Sequence, residues 1–370
     1  MRVRFRGLEL AERIRTFFAA PVLPPTALAL RPREIALLEG RRRRGRVLVR
    51  RAVVEPVPAG ALEPSFEGKN VRAREALRHA LERALEKAGL RRAERWAVAL
   101  PSATCRLFLL EIEHVPKARE ELAAVIGWKI ERLVGVSATE LTIAVQHLPA
   151  QGEGTAARVL PTTRGAPPQS ERFLTLVARS EVLASYEELF KDVGLHPGFL
   201  VSNNVAESGW MTTLPPGQDA LLISIEGDWM TLFFTRDREP LAVRAFACES
   251  EAMLDEIHRT LVYYQDRLSP HSTELRPMEN ISSEAPDSPS PSEEPMGAGA
   301  GLRTIVVINH NEGSEGASSP FVRELEAVCR TLFPPEAAPT CYALNEHSLE
   351  GETRWRLSHF AAPLGLILSS

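Results

Sequence analysis

The sequence predicts a two-lobed α/β protein in which one β-β-β-α unit occurs twice, with a small α+β subdomain inserted between the copies. Three observations lead there. Residues 26–88 and 221–268 repeat the same order of short apolar strands closed by an amphipathic helix. The segment between them carries its own strand–strand–helix–strand–strand–helix run. A chain of 370 residues with 44% hydrophobic content exceeds one compact core and suits two or three lobes.

In the first copy, residues 26–30 and 35–39 read as strands, 41–45 as a charged turn and 47–54 as a third strand. A helix over 72–88 follows, because Ala73, Leu77, Ala80, Leu81, Ala84, Leu85 and Ala88 recur at helical period. Gly89 ends it, since glycine enters the left-handed C-terminal conformation without a Cβ clash. In the second copy, strands are expected at 221–225, 229–235 and 241–247, with Glu226-Gly227-Asp228 as the first turn. Ser250 caps a helix to about 268 that turns Met253, Leu254, Ile257, Leu261 and Tyr264 inward.

Between the copies, strands are expected at 96–100, 105–112, 142–148 and 173–178, and helices at 117–134 and 181–193. Residues 149–170 read as a long loop, rich in Pro, Gly and Thr. Residues 276–301 combine serine, proline and acidic residues with few large apolar side chains. Such a stretch cannot bury enough surface to offset its ordering entropy, so a disordered linker is expected. A strand at 303–308, a helix at 321–333 and a strand at 341–344 follow it.

Composition removes several function classes. A net charge of -4 gives no basic footprint for nucleic acid. Cys105, Cys248, Cys329 and Cys341 show no CxxC spacing and no nearby histidine pair, so reduced thiols are expected rather than a metal site. The apolar stretch at 17–30 is short and broken by Pro21, Pro24 and Pro25. Glu9, Glu12, Arg13 and Arg15 interrupt any signal-peptide core, which points to the cytoplasm. Leu10, Ile14, Phe17 and Phe18 form one apolar stripe flanked by arginines there, read as a short helix packed on its own domain in preference to one lying on a membrane surface.

Motifs for chemistry fail on context. Gly297, Gly299 and Gly301 precede a strand, whereas a dinucleotide loop must follow a strand and open a helix. Glu111 and Glu113 share a strand face, but nothing pairs them or His114 with a nucleophile. The arginine run 41–44 reads as a solvated turn. No catalytic residue, cofactor or metal site is predicted.

The order of elements resembles the actin-like (ribonuclease H-like) fold, and within it the PilM family of type IV pilus assembly proteins. Ala97-Val98-Ala99-Leu100-Pro101, the strand through Ile112, Val115-Pro116 and a helix over 120–133 with Trp128 are similar to that family's inserted subdomain. The strand over 174–178, Tyr186-Glu187-Glu188-Leu189 and Val193-Gly194-Leu195-His196-Pro197 match its next strand, helix and exit. Ala362-Pro363-Leu364-Gly365-Leu366-Ile367-Leu368 resembles its C-terminal helix. The implied division is an N-terminal arm (1–25), a first lobe (26–95 and 345–370), the inserted subdomain with the return to the first lobe (96–215), a second lobe (216–275 and 302–344) and the linker (276–301).

The resemblance implies a cytoplasmic scaffold, peripheral at the inner membrane, that binds the short tail of a PilN-like membrane protein. The implied groove lies between the first lobe and the insert, near Leu107, Leu109, Leu122, Ile126 and Ile130. It implies no nucleic-acid partner and leaves oligomeric state open. Departures from the family argue for a pseudo-ATPase without a cofactor. Ala29, Arg31 and Ala36 stand at the Asp, Gly and Lys places of the first phosphate hairpin. Ser224 and Glu226 stand at the Asp and Gly places of the second, and Asn309-His310-Asn311 replaces a glycine pair on the adenosine side. Magnesium needs carboxylate oxygens, and phosphate needs the close backbone approach that glycine allows. The alternatives are a component like the cytoplasmic domain of type II secretion protein L, which in that protein precedes a transmembrane helix not visible here, and an active actin-like ATPase.

Overall fold

The computed structural model describes residues 23–43, 46–90, 95–148, 170–269, 301–311, 319–344, 348–349 and 355–369. Most of the N-terminal arm, nearly all of the loop expected at 149–170 and most of the linker lie outside them.

The first sheet begins with β1 (Thr26–Leu30), β2 (Glu34–Arg43) and β3 (Arg46–Pro56), paired antiparallel in sequence. Helix α1 (Arg74–Ala88) returns the chain to β4 (Trp96–Leu100), which lies parallel to β1. β1 and β4 are buried at every position, which explains why they read as unbroken apolar runs and not as alternating ones.

The insert follows as β5 (Arg106–Ile112), α2 (Arg119–Val134), β6 (Leu141–Leu148) and β7 (Glu171–Arg179), with sheet order β5-β7-β6. α3 (Ser180–Asp192) and β8 (Pro197–Ser202) lead back to the first sheet, whose order is β3-β2-β1-β4-β8. A short helix α4 (Asn203–Glu207) then crosses to the second lobe.

There β9 (Asp219–Glu226), β10 (Trp229–Arg236) and β11 (Glu239–Ala247) repeat the three-strand meander, followed by α5 (Met253–Tyr263). β12 (Leu302–Asn309), α6 (Pro320–Leu332) and β13 (Thr340–Ala343) complete the order β11-β10-β9-β12-β13. Each lobe is thus a three-strand meander extended by two parallel strands. α7 (Ala361–Leu368) ends the described chain.

α1 and α3 cover one face of the first sheet through Leu77, Leu81, Tyr186 and Phe190. α7 covers the other face, against Ala27, Ala29, Ala36, Ala97 and Ala99. That alanine floor lets a helix apolar on all sides sit close to the sheet. The second lobe packs α5 and α6 on one face of its sheet. Its other face, with Leu222, Phe233 and Ile308, meets Leu107, Met211 and Ala361.

Three expectations are corrected. Most of the charged turn at 41–45 is paired strand, because the β2–β3 ladder continues beyond a register shift after Glu39. The helix expected over 250–268 is α-helical only from Met253 to Tyr263 and ends in a π-helical turn, Tyr264–Leu268. β8 and α4 were not expected, since Pro197 and Gly198 mask a short strand. Among the described residues no helix is long and apolar enough to cross a membrane.

Candidate functional site

In sheets with parallel strands, the C-terminal ends of those strands face the natural crevice. Here the ends of β1, β4 and β8 in one lobe, and of β9 and β12 in the other, converge between the lobes. They deliver Arg31, Ser102, Asn203, Glu226 and His310, and α4 adds Glu207.

Two buried carboxylates organise the cleft. Glu207, fully buried, accepts from Ser224 Oγ at 2.5 Å and from His310 Nε2 at 2.7 Å. Arg31 is only 2% exposed, and its Nη2 lies 3.7 Å from Glu207 Oε1. Arg31 Nη1 donates to Glu34 Oε1 and to the His359 carbonyl, both at 2.8 Å. Burial works against the Glu207 charge, but His310, Arg31 and Ser224 outweigh it and hold the carboxyl below the ordinary carboxylate range.

Glu226 is the second. Its Oε2 accepts from the Ser102 amide at 3.0 Å, from Ser102 Oγ at 2.9 Å and from Asn203 Nδ2 at 3.3 Å. Asn203 Nδ2 also donates to the Leu30 carbonyl at 3.0 Å, which ties the first hairpin to the second. Burial pushes the Glu226 carboxyl up despite these donors, and Glu207 adds to the rise. The lobes are therefore joined through Glu207 and Glu226, while Arg31 Nε and Nη2 and Asn203 Oδ1 stay buried without a hydrogen-bond partner among the described residues.

Glu34 gives a pH prediction. Burial alone would raise it, but His359, whose Nδ1 donates to Oε2 at 2.7 Å, and Arg31 lower it from 4.5 to about 2. A depressed carboxyl stabilises the fold above its unfolded value, and that contribution is lost as pH falls from about 4.5 toward 2. The drop corresponds to on the order of 3 kcal/mol. Glu34→Gln is expected to unfold at lower denaturant concentration at neutral pH and to show a flatter stability profile between pH 5 and pH 2, about the range set by these values. Parallel profiles for both proteins would refute the assignment.

The residues singled out in the sequence are placed as follows. Ala29 and Ala36 are register partners in β1 and β2, buried beneath α7. Arg31, Ser224, Glu226 and His310 meet in the cleft. Asn311 instead clamps the second hairpin: its Nδ2 donates to the Gly227 carbonyl at 2.7 Å, and its Oδ1 accepts from the Gly227 amide at 2.8 Å. Asn309 Oδ1 accepts from the Asn311 amide at 3.0 Å.

The five groove residues are not brought together. Leu107 and Leu109 lie on the face of β5 turned to the second lobe. Leu122, Ile126 and Ile130 pack from α2 onto the opposite face of the same sheet. Leu107, Ile126 and Ile130 are core residues, so a surface role for them is corrected; Leu109 and Leu122 are half-buried. The same helical period that marks a binding stripe marks the face a helix turns to its own sheet.

Sequence reasoning missed Glu207, Ser102, Asn203, Glu34 and His359. Glu34, Asn203 and Glu207 lie in locally polar stretches that read as exposed, Ser102 and His359 are polar residues next to apolar runs, and only the convergence of distant strand ends brings them together. Among the described residues no group of three histidine, cysteine or acidic side chains could hold a metal ion.

Two lobes of matching strand order, with strand ends meeting in an interlobe cleft and α7 beneath the first sheet, define an actin-like fold. Nearly the whole chain is similar to a solved structure of the PilM-PilN type IV pilus biogenesis complex, at 16% identity over 94% of this chain and 98% of that one, with a TM-score of 0.61. Weaker likenesses are a Bacteroides thetaiotaomicron protein with an actin-like ATPase fold and unknown function (8% identity, 86% and 90% coverage, TM-score 0.43) and the cytoplasmic domain of EpsL, an inner membrane component of the type II secretion system of Vibrio cholerae (11%, 81% and 91%, 0.37). No known family profile and no curated protein sequence matches the chain.

Proposed function

We propose that this protein is a non-catalytic, actin-like scaffold of a type IV pilus or related secretion platform, cytoplasmic and peripheral at the inner membrane. It binds the short cytoplasmic tail of a PilN-like membrane protein. One observation carries the non-catalytic part: the positions where an actin-like ATPase would cradle phosphate and magnesium hold Arg31, Ser224, Glu226 and His310, engaged with Glu207, Ser102 and Asn203. A triphosphate would have to displace the buried contacts that Glu207 and Glu226 make with His310, Ser224, Ser102 and Asn203, and approach two carboxylates.

Support for the partner comes from the structural likeness to a PilM-PilN complex along almost the full length of both chains. The first lobe meets the insert where Phe66 packs among Leu110, Ile126 and Ile130, with Leu122 and Val125 partly open at the rim. This rim is the proposed tail site.

Fluorescence anisotropy with a labelled peptide of the cytoplasmic tail encoded beside this chain tests it. Saturable binding that weakens at least tenfold, about 1.4 kcal/mol, in Leu122→Arg is expected. Absence of binding by the folded wild-type protein would defeat the proposal.

A further inference from the structure

We propose that the outer mouth of the cleft is a carboxylate-binding pocket built around Arg106, taking a single carboxylate attached to an apolar body.

The pocket has a volume of about 310 Å³ and is lined by Pro32, Pro64, Phe66, Arg106 and Trp229, with Glu226 and Asp228 at one side. Arg106 is held between two aromatic rings from opposite lobes. Its guanidinium carbon lies 4.7 Å from the Phe66 ring centre and 4.6 Å from that of Trp229. Two cation–π contacts hold the guanidinium in place and leave its N–H groups to bind further.

Nη1 reaches the Ala103 and Cys105 carbonyls, each at 3.3 Å. Among the described residues no carboxylate lies within ion-pair distance of Arg106, although it is half-buried and burial lowers its affinity for a proton; Glu67 acts on it only from farther away. The remaining donors, Nε and Nη2, form the edge that grips a carboxylate bidentately. The indole Nε1 of Trp229, on the same wall, is buried and has no acceptor. A buried donor is normally satisfied, so the unpartnered Trp229 N–H beside Arg106 calls for an acceptor.

The clamp is preorganised. Asn70 Oδ1 accepts from the Ser65 amide at 3.2 Å, and its Nδ2 donates to Thr104 Oγ1 at 3.1 Å and Tyr186 OH at 3.2 Å. That buried triad fixes the loop bearing Phe66 against the turn before Arg106.

Charge selects the ligand. Glu67, Glu226 and Asp228 surround the one cation, so a phosphate dianion is penalised more than a monocarboxylate, whose hold rests on direct contact with the Arg106 edge. Two prolines and two aromatic rings suit an apolar body behind that carboxylate.

The test follows indole N–H resonances of the full chain during titration with 3-phenylpropionate. The sequence holds five tryptophans, and Trp229→Phe assigns the signal. The Trp229 resonance is expected to move saturably with a dissociation constant on the order of millimolar. The amide analogue and phenyl phosphate should leave it in place, and Arg106→Lys should weaken the effect at least tenfold while the other indole signals report an intact fold. An N-acetylated dipeptide ending in phenylalanine distinguishes sources: tighter binding than the free acid assigns the pocket to a chain terminus, weaker binding to a small-molecule acid. No saturable movement at about 10 mM, or equal movement in Arg106→Lys, would overturn the proposal.

Discussion

Glu207→Ala is expected to lower the free energy of unfolding by about 3–5 kcal/mol, the largest effect of any single side-chain removal in the cleft. The carboxylate is fully buried and lies against Arg31 and His310, which are 2% and 6% exposed. Removing it leaves His310 Nε2 and Ser224 Oγ without their acceptor and takes a neighbouring negative charge from Arg31, which keeps Glu34 and the His359 carbonyl. Because Arg31 belongs to the first lobe and His310 to the second, the loss falls on the lobe interface. Glu207→Gln keeps the volume and one carbonyl acceptor, so it should fall between wild type and alanine. Denaturant unfolding measures all three; a loss under about 1 kcal/mol for alanine would mean the pair behaves like an exposed ion pair.

Gly365→Ala carries the second large effect, and here two terms of opposite sign compete. Alanine favours a helix over glycine by roughly 1 kcal/mol. A Cβ at 365, however, would stand 2.0 Å from the Ala206 carbonyl oxygen, and one at 209 would stand 2.1 Å from the Gly365 oxygen. Both obstacles are backbone, so α7 and the α4 segment must separate and open the alanine-floored core beneath α7. Overpacking of this kind costs about 1–3 kcal/mol or more, and the steric term wins. Gly127→Ala in α2 should show the opposite sign, since its Cβ would meet only Ala138 Cβ at an ordinary 3.5 Å. Thermal denaturation of the two variants reads the contrast directly. The Gly209 and Gly365 replacements should not add, because they disturb one crossing.

These two sites show where the sequence was legible and where it was not. The copies at β1–β3 and β9–β11, the α1 face and the all-apolar α7 were readable because period and composition are local properties. Arg31, Ser224, Glu226 and His310 were singled out by comparison with two expected hairpins and a glycine pair, and the structure brings these four into one cleft. What those residues touch was not. Glu207 looks like any surface glutamate beside Ser208, and its burial exists only once two lobes bring β1, β9 and β12 together. The close approach at Gly365 is equally hidden, since a glycine within a helix reads as a weak point and not as a contact. Ile126 and Ile130 fail as surface residues for the complementary reason: an apolar stripe records that a helix face is covered, without saying by what.

The central claim is that the cleft is closed by the protein's own side chains and holds no nucleotide. Titration calorimetry of the full chain with ATP and magnesium tests it most directly. No heat of binding beyond dilution is predicted, with unchanged thermal stability at saturating ATP. Binding in the micromolar range, on the order of -8 kcal/mol, would contradict it.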